Sequence, residues 1–554
     1  MYSEIFHQEA DRLTWSRPIN KRTDRLILLA LLLAALLLFT INLGELPLRD
    51  WDEGTVAQVA RNISREPFAS SGWLYPTLGD RPYLNKPPLV HWLIAWAYLL
   101  GGVNEWTSRL PSALLSALTV PLLYCIGLEI FPKRTPAIFS SLILLTLLPV
   151  VRHGRLAMLD GPICCFFLLT ILCTLRARRD LRYGLGVGIA LGLICLTKSI
   201  LGLLLGAIAL LFLFWDTPRL LSCVYILSGI FLGLLPVTLW YIGLYLQDNG
   251  HNFIQTSIIE QSFSRILQPV ENHSGPVWYY LLEILKYAWP WPIFFPRAYR
   301  LAWSHRNMSW AKLVLVWSSV YPIAISVMAT KLPWYILPLY PALALASGAM
   351  LTEIWHDLPL WHQFPRKIGS TATMQPQLLA SLVLLALVSW AGFIYFSGFQ
   401  TPADWNLAII MAATALTMTA AAVKVAQASR QFLVFLFWGS YVVLLLFFLS
   451  GHWIWELAEA YPVKPVAEMI QKGTPLGQKI FTNYNYGRPS LDFYSSRQVI
   501  PLEPKQLQDR WDDENSQPYL LIDGDAQKPP QLKGVKVLDT AGTRWQLITR
   551  DAQE

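Results

Sequence analysis

The sequence predicts a polytopic α-helical membrane protein of about thirteen transmembrane helices, with a small C-terminal α/β domain outside the membrane. Three observations carry this. Of 554 residues, 54% are hydrophobic and only 14% are charged, whereas soluble domains carry roughly 25% charged residues. Apolar runs near the length a bilayer requires, about 20 residues, recur from residue 26 to residue 450. Residues 452–554 then change in kind, to short apolar runs separated by turns.

Residues 1–25 are polar and basic and read as a cytoplasmic tail. The apolar run after them has no convincing cleavage site, so it reads as an uncleaved first transmembrane helix rather than a signal peptide. Residues 26–451 form the membrane domain. Its expected spans are 26–44, 108–131, 136–152, 161–176, 183–198, 199–215, 221–246, 276–296, 313–330, 333–352, 377–397, 405–424 and 431–450. The 24 Trp suit a chain with many membrane–water boundaries. The six cysteines all lie in apolar spans, without metal-ligand or disulfide spacing, and read as buried apolar residues.

Leu89 to Gly101 is apolar but too short to span, which suits an interfacial or re-entrant helix. If it does not span, Lys133-Arg134, Arg176 to Arg182, Arg219, Arg297 to Lys312, Arg366-Lys367 and Lys424 to Arg430 all fall on the cytoplasmic side. That is a consistent positive-inside pattern. It accounts for the formal net charge of +8 without nucleic acid as a partner.

The external face then receives Asp52, Glu53, Lys86, Arg155, Asp160, Lys198, Glu260, Arg265, His273 and Lys331. They come from the external loops 44–107 and 247–275 and from several helix ends. Within the first loop, Thr55 to Ile63 is amphipathic and is expected to lie along the membrane surface. Residues 356–376 read as a cytoplasmic linker. In the external domain, 452–554, strands are expected at 479–482, 519–523, 535–538 and 545–548, and a helix at 463–471.

Ionisable residues gathered at one membrane face suit transfer from a polyprenyl-phosphate sugar, whose tail lies in the bilayer and whose phosphate lies at the interface. Lys and Arg can stabilise the leaving phosphate, and a carboxylate can take the proton of an attacking hydroxyl. Such a reaction requires no cofactor, and no Gly-rich phosphate loop supports nucleotide chemistry. Each residue also has a plainer reading. Asp52 and Asp160 could cap helices, Glu53 could sit in a helix first turn, and Lys86, Lys198 and Lys331 could snorkel. A transporter would place such charges near the midplane of repeated halves; here they lie at one edge, and no repeat is visible.

The motif order resembles a known family. Asp52-Glu53, then Arg81-Pro82-Tyr83-Leu84-Asn85-Lys86-Pro87-Pro88, then Gly154-Arg155-Leu156-Ala157-Met158-Leu159-Asp160 and Leu196-Thr197-Lys198 lead the series. His273 to Tyr280 and Lys331-Leu332-Pro333-Trp334-Tyr335-Ile336-Leu337-Pro338 complete it. Together they resemble the lipid-A aminoarabinose transferases and protein O-mannosyltransferases, membrane glycosyltransferases of the GT-C fold. The resemblance covers about residues 25–350, and only Gly487 to Tyr494 extend it into the C-terminal domain. It implies an inverting glycosyltransferase of the plasma (inner) membrane, with its site and C-terminal domain on the periplasmic side. The donor would be a polyprenyl-phosphate sugar, and the acceptor a lipid, a glycan or a secreted protein's Ser or Thr.

Asp52, Glu53 and Asp160 are then the catalytic candidates, with Asp52 as base. Lys86, Arg155, Lys198, Lys331 and Tyr335 are candidates for the donor phosphate, and Glu260, Arg265 and His273 for the acceptor loop. Two positions depart from the aminoarabinose transferases: Thr55 stands where they have Arg, and Asn85 where they have Glu. That Glu joins the loop histidine in binding zinc, so a divalent metal at His273 loses a ligand here.

Overall fold

The computed structural model describes residues 21–68, 70–247, 255–256, 259–260, 264–270, 273–357, 375–454, 462–484, 486–513, 517–524 and 532–551. Among these, nine helices are long and apolar enough to cross a membrane, or ten if the bent pair Arg134–Leu145 and Leu148–Arg155 is one span. Nine is a count of helices, not of passes. Tyr183–Asp216 is written as one 34-residue helix, but Lys198 inside it is non-helical, at φ −155° and ψ 85°. A straight helix of that length would run about 50 Å, well beyond the roughly 30 Å hydrocarbon core.

Instead the chain turns back at Lys198. Gly202 lies against Cys195 and Gly206 against Leu191. Asp216 returns to within 3.1 Å of Arg178, which precedes the element. The two apolar runs expected at 183–198 and 199–215 are therefore antiparallel arms of a hairpin with Lys198 at its tip. The first arm packs closely on Val224–Gln247, where Gly188 and Gly192 meet Gly229 and Gly233. A side chain at any of these four would collide with facing backbone. The apolar run 276–296 is likewise broken, into Tyr279–Tyr287, a 3-10 turn at Trp291–Ile293 and Phe295–Ser304.

One end of the bundle gathers the basic clusters around three carboxylates. Arg134 pairs with Asp24 at 2.6 Å. Glu129 holds Arg176 at 3.3 Å and Arg179 at 3.1 Å, and Asp216 holds Arg178 and Lys312. Residues expected on the cytoplasmic side thus share one end, and the Lys198 tip lies at the other. The linker expected at 356–376 falls mostly outside the described residues.

At the Lys198 end, the first loop is ordered by short helices. Asp52–Arg65 is amphipathic, and its Val56, Val59, Ala60 and Ile63 are all buried. Protein covers that face: Val59 and Ile63 pack with Trp73, Tyr83 and Ala95, and Gly54 presses against Ser490 of the C-terminal domain. The expected contact with the membrane surface is corrected accordingly. Leu89–Gly101 is a 13-residue helix, closed by Gly102 at φ 75°, a conformation that suits glycine. Asn104 then caps Glu105–Ile130 through a reciprocal pair with Thr107.

The C-terminal residues build a five-stranded sheet. Its order is Gln498–Pro501, Lys479–Thr482, Tyr519–Asp523, Trp545–Arg550, Val535–Ala541. The first three strands are parallel, the others antiparallel. Side chains alternate as strand geometry requires. Leu521 and Leu547 face Val466 and Ile470 of the helix Val463–Gly473, while Leu520, Ile522 and Ile548 face Leu507 and Trp511. The strand Gln498–Pro501 carried no alternation long enough to be read from sequence.

Candidate active site

A cavity of about 260 Å³ opens at the Lys198 end of the bundle. The loop Leu84-Asn85-Lys86-Pro87 forms one wall. Asp160, Lys198, Ser199, Trp240, Tyr241, Arg265, Tyr321 and Tyr335 supply polar and aromatic groups, and Ile200, Leu201, Leu204, Ala324, Ile325 and Met328 supply an apolar side. The break at Lys198 aims its side chain at the first turn of the helix Asp160–Arg176. There Lys198 Nζ lies 3.0 Å from Asp160 Oδ1 and 4.7 Å from the centre of the Tyr335 ring. Tyr335 is held from both sides: its hydroxyl accepts from Arg265 Nη1 at 3.4 Å, and its carbonyl accepts from the Tyr321 hydroxyl at 2.7 Å. Five of the expected residues therefore meet in one cavity: Lys86, Asp160, Lys198, Arg265 and Tyr335.

Asp52 begins its own helix beside that cavity rather than lining it. Its side chain is 28% exposed, and Arg49 Nη2 donates to Oδ2 at 3.4 Å. The guanidinium of Arg49 also lies over the Trp334 ring. Burial pushes the ionisation of Tyr83 up, with Arg265 opposing and Asp52 reinforcing that shift. Both charges thus act on a side chain next to the cavity wall at Leu84.

Three expected site residues are corrected. Glu53 is fully buried, and both its oxygens are spent. It accepts from Arg109 Nε and Nη2 at 2.8 Å each, from Ala157 N at 2.8 Å and from Arg49 N at 3.0 Å. Burial alone would raise its carboxyl, but Arg109 outweighs that and holds it below the ordinary value. Glu53 is a structural anchor. Arg155 is buried too: it donates to Leu38 O and Ile41 O, and its guanidinium lies 4.5 Å from the Phe448 and Trp453 rings. It packs the bundle and does not face the cavity. Lys331 gives its ammonium protons to Ile325 O, Ser326 O and Met328 O at the end of the helix Ser309–Val327, which makes it a helix C-terminal ligand.

Glu260 is exposed and bonded by Gln255. The His273 carbonyl accepts from Lys331 N at 2.9 Å, which ties the second external loop to the late Lys-Leu-Pro segment. Among the described residues no three His, Cys, Asp or Glu side chains come together as a metal site.

The geometry adds residues that sequence reasoning missed. Arg109 was hidden in an apolar span, although a lone cation there is itself a signal. Arg49 stands beside Asp52 and engages it. Asp50 is clamped from the C-terminal domain: Arg488 Nη1 bonds Oδ2, and the Ser490 hydroxyl bonds Oδ1. Arg61 donates to Phe493 O and Ser496 Oγ, and the Tyr494 hydroxyl accepts from Leu48 N at 2.8 Å. The segment Gly487 to Tyr494 thus seats the C-terminal domain on the loop that carries Asp52.

This seat titrates. Burial raises Asp492, the bond from Val499 N lowers it, and Asp50 raises it again, for a net value of about 7 against an ordinary 3.8. The folded state then holds this proton more tightly than the unfolded chain, so its contribution to stability falls as pH rises from about 4 to 7. Asp492→Asn keeps the acceptor for Val499 N. It is expected to remove that part of the slope, so that its thermal midpoint gains on wild type steadily across the window. Parallel melting curves of the two proteins across pH 4–8 would disprove the assignment.

Residues 85–242 match the family model described as dolichyl-phosphate-mannose-protein mannosyltransferase. The chain is 29% identical over 294 residues to an undecaprenyl phosphate-α-4-amino-4-deoxy-L-arabinose arabinosyl transferase of Erwinia tasmaniensis, covering 51% of this chain and 52% of that protein. It is 27% identical over 380 residues to the protein of the same name in Enterobacter, covering 65% of each. The matches thus span between about half and two thirds of these relatives. The crystal structure of ArnT from Cupriavidus metallidurans bound to undecaprenyl phosphate superposes with a TM-score of 0.75 at 18% identity, over 95% of this chain and 99% of that one. The fold is therefore that of a multi-pass membrane protein of the GT-C type, and the resemblance read from the motifs appears independently in sequence and in fold.

Proposed function

We propose that the chain is an inverting membrane glycosyltransferase that moves a sugar from a polyprenyl-phosphate donor to a lipid or glycan acceptor at the external face. One observation carries this reading. The cavity joins a cationic end, formed by Lys86, Lys198 and Arg265, to an apolar side formed by Ile200, Leu201, Leu204, Ile325 and Met328. A phosphate attached to a prenyl chain needs that combination. The names of the relatives and the undecaprenyl phosphate in the ArnT crystal support the same donor class.

In the proposed step an acceptor oxygen attacks the anomeric carbon, and the bond from that carbon to the phosphate oxygen breaks. Asp52 receives the acceptor proton. The electron pair leaves with the phosphate, whose growing charge is met by Lys86, Arg265 and Lys198 and by the Tyr335 hydroxyl. Asp160 orients Lys198 through their ion pair. The site would face the periplasm, because the arginine-rich ends gather at the opposite end of the bundle. The C-terminal domain would then lie on the same side as the cavity.

The test is transfer of label from a panel of polyprenyl-phosphate sugars to extracted envelope lipids and to secreted proteins, using the purified full chain. Label in the lipid or glycan fraction supports the reading. Label only on Ser or Thr would move the acceptor to proteins, as the mannosyltransferase family model suggests. No transfer from any donor, by folded protein, would overturn the reading and favour a transporter.

A further inference from the structure

We infer that the C-terminal domain takes part in catalysis by holding the base, with Arg488 as the positioning residue for Asp52. The inference rests on the proposed function. Among the described residues, none beyond Tyr335 lines the cavity, so the domain adds nothing to the donor's pocket. Its grip falls instead on the turn that carries Asp52.

Three contacts make that grip. Asp50 is 3% exposed, and the domain engages both its oxygens: Arg488 Nη1 donates to Oδ2 and the Ser490 hydroxyl to Oδ1. The Trp51 ring lies 5.5 Å from that of Tyr486, centre to centre. Gly54 has no room for a side chain, because a Cβ there would come within 2.6 Å of Ser490 N. Asp52 sits among these three positions. The turn is also bonded internally, from Gly54 N to Arg49 O at 2.9 Å and from Thr55 N to Trp51 O at 3.1 Å. A shift at Asp50 is therefore passed on to Asp52 rather than absorbed by slack chain.

The grip depends on Arg488. A buried carboxylate that loses its cation takes up a proton or turns toward water, and either change moves the turn. A reacting group misplaced by about 1 Å costs roughly 10²-fold in rate. The donor phosphate is held by Lys86, Lys198 and Arg265, none of which belongs to the domain. The signature is thus a fall in kcat at unchanged donor affinity. A residue that only joined the two domains would lower the melting temperature and leave the kcat of the folded protein as it was.

The experiment measures sugar transfer by the purified full chain, with Arg488→Gln and Ser490→Ala beside wild type and Lys479→Gln. Lys479 is the control: its Nζ bonds Asp80 Oδ2 at 2.6 Å, an exposed contact between the same domain and the same loop. Arg488→Gln is expected to lower kcat by about 10–10²-fold, with donor KM and the thermal shift given by undecaprenyl phosphate unchanged. Ser490→Ala keeps the Arg488 bond and should lose less, and Lys479→Gln should keep the wild-type kcat. Added to Asp52→Asn, Arg488→Gln should cost the residual transfer nothing more, because the group it positions is gone. Wild-type kcat in folded Arg488→Gln overturns the inference, as does wild-type kcat in Ser490→Ala should Arg488→Gln fail to fold. An equal loss in Lys479→Gln, or losses that multiply in the Asp52→Asn background, also overturns it; each of these leaves the proposed function standing. No transfer by wild type from any donor in the panel removes the proposed function itself.

Discussion

Asp52→Asn is expected to lose sugar transfer by about 10²–10⁴-fold, the range for removing a positioned general base, while still binding polyprenyl phosphate like wild type. Of the three carboxylates in the segment Asp50 to Glu53, Asp52 is the part-exposed one, its side chain 28% exposed. Asp50 is clamped by Arg488 and Ser490, and Glu53 is enclosed by Arg109, Ala157 N and Arg49 N. The Arg49 guanidinium, 3.4 Å from Asp52 Oδ2, orients the carboxylate. Asparagine keeps an oxygen for Arg49 and therefore the loop geometry, but it cannot take the proton. Asp52 also stands off the cavity lining, so phosphate affinity should survive. Label transfer gives one half of the result, and a thermal shift with undecaprenyl phosphate gives the other. A variant that transfers at the wild-type rate would remove Asp52 from the chemistry. A variant that loses both transfer and binding would make Asp52 part of the binding site.

The sequence placed the ionisable residues at one end of the bundle but could not say which of them face a substrate. Hydropathy locates helix ends, and Asp160, Lys198 and Lys86 sit where such ends put them. What decides their role is the supply of partners. Lys331 and Lys198 have the same apolar flanks in the sequence, yet Lys331 is consumed by three carbonyls of the preceding helix and Lys198 points into a cavity. The difference lies in backbone geometry, a helix ending in one case and a reversal in the other, and no residue pattern marks it. Arg155 was misplaced for a related reason: its carbonyl partners, at Leu38 and Ile41, are more than 100 residues distant. The hairpin at Lys198 was legible as two apolar runs, because each run is about one bilayer long. The seat of the C-terminal domain on the first loop showed only as the segment Gly487 to Tyr494, since its partners Asp50, Gly54 and Arg61 lie over 400 residues away.

Removing Glu53 or Arg109 alone should destabilise the protein by about 3–5 kcal/mol, the cost of leaving one partner of a buried ion pair uncompensated. Both side chains are fully shielded from solvent. Arg109 also gathers the carbonyls of Leu43, Leu46 and Pro47, so Glu53 fixes the guanidinium that ties the first loop to the bundle. In Glu53→Gln the Arg109 charge stays buried without its counter-charge; in Arg109→Met the Glu53 carboxylate does. The double variant should cost less than the sum of the two, because neither charge is then stranded. The pH dependence has a definite sign. The Glu53 carboxyl is held below its ordinary value near 4.5, so its contribution is present above that pH and lost as pH falls below it. Glu53→Gln should therefore lose less stability than wild type on acidification. Thermal unfolding in detergent reads all of these. A Glu53→Gln protein with wild-type stability and no transfer would return Glu53 to the chemistry. A destabilised protein that still transfers while folded would fix it as the anchor that holds Asp52 in place.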